Sequence, residues 1–179
     1  MVRLLECDLD TYSRLAVPMI LAQFPDWEAF AKVELRPGEA CGVVEFYIPC
    51  PSPSAERGLW VSTADEELSV GFHTHHCHFT DYNDRTHLAQ IEAGVKYAAD
   101  LVAEGIGVVS CYRGGKFAGS NSVELPHTGP LHALAGAGPF AGIFAGCERV
   151  TLRSWLGRFD HDESLAEPGA TAGSGTVRR

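Results

Sequence analysis

The chain has 179 residues, 45% hydrophobic and 21% charged, the proportions of one globular domain able to bury a core without covalent staples. Acidic residues outnumber basic ones 23 to 14, a formal net charge of −9 that repels phosphate backbones and disfavours nucleic-acid binding. No apolar run reaches the length of a membrane span, and MVRLLECDLDTYSRL carries acids where an export signal needs an apolar stretch, so the expected location is cytoplasmic, with no membrane partner.

In chain order, Asp10–Phe24 has a patchy helical pattern in Leu15, Met19, Ile20 and Leu21, interrupted by Pro18, which predicts a kinked helix. A strand meander should follow. Ala29–Arg36 ends at the turn Pro37-Gly38, and Cys41–Ile48 is rich in β-branched and aromatic residues. The stretch PCPSPS stops it; Leu59–Ser62 and Glu67–His75 are the next strands. Leu88, Ile91, Val95, Ala98 and Val102 then form one apolar helical stripe, predicting a long amphipathic helix over about 84–104. Asn83 or Asp84 suits its N-cap, and Gly105 suits a left-handed C-terminal cap. Ile106–Tyr112 and Phe117–Leu125 read as a hairpin turning at Arg113–Lys116. The glycine-rich stretch 126–146 gives no clear pattern, and Val150–Leu156 reads as a last strand. The expected organisation is one α+β domain over 1–161, an antiparallel β-sheet with the 84–104 helix packed on a face in two layers. A polar tail, 162–179, has little to bury and is expected to be disordered. Cys7, Cys41, Cys50, Cys77, Cys111 and Cys147 contain no CxxC pair and read as reduced core thiols.

The segment Val70–Asp84 holds four of the eight histidines. If the strand runs straight on, alternation places His76 and His78 with Leu68, Val70 and Phe72 at the lip of the core, and His73 and His75 on the other side. A bulge near His75-His76 would change that parity. One strand cannot bring four ligands together, but each same-face pair could begin a zinc site completed by Asp81, Asp84 or Glu45. Cys77 adjoins histidines, yet a thiol becomes a nucleophile only in an electropositive site, so an idle thiol is the plainer reading.

Glu45 with His73-Thr74-His75 resembles the first two parts of the JAMM metalloprotease pattern, a strand glutamate followed by His-x-His. Asn83 and Thr86 stand where that family has its serine and aspartate, and the nearest acid is Asp84. That resemblance implies a zinc-dependent hydrolase with ligands among His73, His75, His76, His78 and Asp84 and with Glu45 as base. A second resemblance covers about half the chain. SVGFHTHHCHFTDY, then an amphipathic helix, VVSCYRGGKFAGS and VTLRSWLGRFD are similar to small bacterial immunity-type proteins encoded beside polymorphic or contact-dependent toxins. It implies no catalysis or cofactor, but a toxin-binding role through His76, His78, Phe79 and Asp81, with Ser154-Trp155-x-Gly157 closing the sheet. An acidic surface would suit a basic toxin domain.

Overall fold

A computed structural model describes residues 4–38, 40–80, 86–131 and 146–165. Strands β1 (Ala31–Leu35), β2 (Gly42–Ile48), β3 (Leu59–Ser62), β4 (Leu68–Phe72) and β5 (His75–Phe79) form an antiparallel sheet in chain order. A second antiparallel sheet is built from β6 (Ile106–Arg113), β7 (Lys116–Glu124), β8 (Arg149–Arg153) and β9 (His161–Ser164), ordered β7-β6-β8-β9. The fold is α+β, with two sheets where the sequence suggested one.

Alternation sets the inner face of the first sheet. Val44, Phe46, Ile48, Leu59, Val61, Leu68, Val70 and Phe72 point into the main core. Helix α1 (Thr11–Gln23) contacts β2 and α2. Its N-cap is Asp10, whose Oδ1 accepts from the Ser13 N–H at 2.6 Å. The helix runs on through Pro18 and buries Tyr12, Ala16, Val17 and Ile20, while Leu15 of the expected pattern is exposed.

The long helix α2 (His87–Val102) lies within the expected span. Thr86 is its N-cap, accepting from Ala89 N–H; Asn83 and Asp84 lie outside the described residues. The buried face is rotated from the expected stripe. Ile91, Gly94, Ala98 and Leu101 are buried with Gln90, whereas Leu88 is exposed and Val95 half-buried. Apolar periodicity missed Gly94 because a missing side chain has no hydropathy signal. A Cβ there would stand 2.5 Å from Leu68 Cδ2 and 3.1 Å from Phe79 Cδ2, so glycine permits the close helix–sheet approach.

The helix ends in paired reverse bonds, Gly105 N–H to Asp100 O and Glu104 N–H to Leu101 O. Their left-handed residue is Glu104, at φ 56°, rather than Gly105. A non-glycine residue is disfavoured there by roughly 1–2 kcal/mol. The buried Glu104 carboxylate offsets this by accepting from Ser154 Oγ at 2.7 Å, Leu156 N–H at 2.8 Å and the Arg158 side chain. These bonds hold its pKa below the usual carboxylate range against the opposing effect of desolvation. Ser154-Trp155-Leu156-Gly157 is therefore a loop folded on Glu104, not the end of the last strand.

The β6–β7 hairpin forms as expected, with Gly114 and Gly115 supplying positive φ at a two-residue turn. Cys111 and Cys147 form a disulfide, against the expectation of six reduced thiols. Their separation of 36 residues conceals their proximity: β8 pairs with β6, so Cys147, just before β8, arrives beside Cys111. Strand β9 crosses the expected domain boundary. Glu163 Oε2 accepts from Leu131 N–H at 2.7 Å, and Leu165 packs on a second cluster of Val109, Cys111, Leu131, Val150 and Leu152. The expected tail thus contributes strand and core through Leu165; residues 166–179 lie outside the described residues, as does most of 126–146.

Candidate functional site

The histidine segment does not continue one strand. Phe72 pairs with His75, so His73-Thr74 is a two-residue hairpin turn, with His73 at φ 54°. The reversal pairs Gly71 with His76 and Ser69 with His78. His76 and His78 consequently share the outer face with Ser69 and Gly71, not the core face with Val70 and Phe72. His75, Cys77 and Phe79 take the inner face. The expected partnership of His76 with His78 survives, their rings 4.9 Å apart and nearly perpendicular, but on the opposite side of the sheet. His73 and His75 are not a same-face pair, because His73 belongs to the turn.

Each histidine has a different assignment. Nδ1 of buried His73 accepts the Glu56 N–H at 3.0 Å, so a neutral ring carries its proton on Nε2. Burial pushes its pKa down. Ser120 Oγ donates to the Thr74 carbonyl and accepts from His75 Nδ1, which leaves His75 Nε2 to accept from the Cys77 thiol at 3.3 Å. Burial first, and then neighbouring His76, lower the His75 pKa to about 4. Burial raises that of Cys77. This pair rests as thiol and neutral imidazole, the reverse of an activated thiolate.

On the outer face, Glu67 Oε1 bonds both Ser69 Oγ and Nδ1 of His78, and Ser69 Oγ lies 2.8 Å from the same nitrogen. A nucleophilic triad needs serine and acid on opposite ring nitrogens, so this trio cannot relay a proton from the serine. Glu45 is bonded by the Tyr47 hydroxyl, whose pKa that bond raises to about 12. Glu45 and His78 share a cross-strand row through Ser62 and Ser69. Three strand spacings, about 14 Å, separate them, too far to serve one metal ion. Among the described residues no three His, Cys, Asp or Glu side chains converge on a metal position. Asp81 and Asp84 lie outside the described residues.

The outer face does form a groove of about 840 Å³. Tyr47 pairs with Trp60, and Trp60 pairs with Gly71, which pairs with His76. Gly71 lacks the side chain that would fill this row: a Cβ would meet Trp60 Cε3 at 3.1 Å and His76 Cβ at 3.4 Å. Phe30, from the 3-10 turn Pro25–Phe30, and Arg57, before β3, add to the walls. His76 and His78 line the groove as well. Phe79 does not; it packs inward against Tyr97, with ring centroids 5.7 Å apart. Sequence reading missed Tyr47, Trp60 and Gly71, although their shared parity with Glu45 and Ser69 marks them as outward.

Comparison of this chain with protein-family models, curated proteins and solved structures finds no match. Among the described residues no helix is long and apolar enough to cross a membrane.

Proposed function

We propose that the chain is a small binding protein of the bacterial immunity type, neutralising a toxin by protein–protein contact on the outer face of its five-stranded sheet. The observation that supports this is the aromatic groove. Tyr47 and Phe30 remain 53% and 40% exposed beside Trp60 and His76, on a sheet face not used by the main core. Aromatic side chains held on a rigid sheet make good contact anchors, because little side-chain entropy remains to be lost on binding. Glu34, Glu45 and Glu67 stand on the same face, bonded to Lys32, Tyr47 and His78, and the net charge of −9 favours a basic toxin domain over nucleic acid. Such a role places the protein in the cytoplasm of the producing cell.

The experiment is calorimetric titration against the toxin domain encoded by the adjacent gene. A one-to-one complex is expected, weakened about tenfold or more by Trp60→Ala and by His76→Ala, the scale of losing one interface anchor. An adjacent gene without a toxin, or a complex indifferent to both substitutions, would reject this reading or this face.

A further inference from the structure

The groove's composition is unusual for this chain. Among the described residues, none of those lining it is Asp or Glu, although the sequence holds 23 acidic residues. Its polar members include Arg57 and four histidines, His73, His75, His76 and His78. Arg57 brings a positive charge to this lining, with aromatic rings beside it.

His73 supplies the second observation. The residue is 4% exposed and lines the groove, and its Nε2 has no hydrogen-bond partner among the described residues. Because Nδ1 accepts the Glu56 N–H, that buried nitrogen is the donor, and an unmet buried donor costs about 1–3 kcal/mol. The same residue has φ 54° in a turn position that glycine or asparagine would adopt more easily. Two unfavourable features thus coincide on one side chain in the groove wall. A ligand acceptor at Nε2 would remove the first. Arg57 just before β3 and His73 just after β4 lie at the same end of this antiparallel pair.

We propose that this groove binds a small aromatic anion, with its flat ring on Trp60 and Tyr47 and its carboxylate, or a group of like charge, received by Arg57 and the Nε2–H of His73. The hollow over Gly71 gives the ring its place. A volume of about 840 Å³ lies within the usual range of roughly 300–1,000 Å³ for small-molecule sites. Arg57 provides charge and a planar fork, while His73 provides a fixed, dry donor that discriminates against ligands without an acceptor. The inference shares a face with the toxin-binding reading but does not rest on it, and its test needs no protein partner.

The test is calorimetric titration of the full chain with 2-naphthoate and its neutral counterpart 2-naphthalenemethanol. Saturable one-to-one binding of the naphthoate is expected, with the alcohol weaker by about tenfold or more, the scale of one charge-assisted hydrogen bond. Arg57→Gln alters an exposed side chain and should cost the naphthoate a similar factor. His73→Asn keeps a residue tolerant of positive φ while withdrawing the ring donor, and should do the same with a native-like melt. Equal affinity for acid and alcohol would show an apolar surface without anion recognition and overturn the proposal. So would an unchanged naphthoate affinity in Arg57→Gln, or no saturable binding up to about 10 mM.

Discussion

His75 shows how one side chain's surroundings set a property of the whole protein. Its ring is tied to Ser120 on one side and the Cys77 thiol on the other, and burial keeps it neutral, with a pKa of about 4. In the unfolded chain the same ring titrates near 6.5. Between these values the unfolded state binds more protons than the folded one, so the His75 contribution to stability is present above about 6.5 and is lost as pH falls toward 4. Burial shifts His73 in the same direction. Urea melts at a series of pH values from neutral to mildly acidic should show declining stability, and His75→Gln should flatten part of that decline. An identical slope in the variant would mean that His75 does not stay neutral in the native state. The Glu104 carboxylate acts in the same sense at lower pH, since its folded pKa is also depressed.

At the level of elements, Gly94 fixes how closely α2 lies on β4. Gly94→Val would drive new atoms into Leu68 and Phe79 inside a closed core, with an expected cost of about 1–3 kcal/mol in a chemical melt. Unchanged stability would mean that the helix can lift from the sheet without loss. Much at this scale was legible in the sequence. β3, the β6–β7 turn and the existence of α2 follow from alternation, a Gly-Gly pair and helical spacing. What was hidden depends on pairing in space. The His73-Thr74 turn contains no glycine, asparagine or aspartate, so the sequence reads as one straight strand, and alternation along it places His76 and His78 on the wrong face. The ordinary preference for glycine puts the C-terminal cap of α2 at Gly105, because bonds to Glu104 from Ser154, Leu156 and Arg158, some fifty residues away, leave no local signal. The groove escaped notice for a similar reason, since Tyr47, Trp60 and His76 become neighbours only through three strand registers.

Across the whole molecule, the second sheet is completed by residues that looked dispensable. Chains ending at Leu165 and at Asp162 differ by Glu163, which receives the Leu131 N–H, by Ser164, which pairs with Arg149, and by Leu165, which bonds Glu148 O and joins the second cluster. The shorter chain should melt several degrees lower, the shift expected for about 1–2 kcal/mol in a domain of this size. Equal melting temperatures would show that β9 only decorates the sheet edge. The two sheets also differ in how their strands find each other. The first is a pure meander in which every strand pairs with its immediate successor. The second brings β8 back to β6 only after the chain has made β7 and travelled from Glu124 to Arg149. Closing short loops costs less entropy than closing long ones, so nearest-neighbour pairing is the faster process. During synthesis the chain would therefore be able to lay down the groove-bearing sheet strand by strand, well before β8 and β9 leave the ribosome. The surface assigned to ligands and partners is thus laid down before the second sheet, which β8 and β9 complete last.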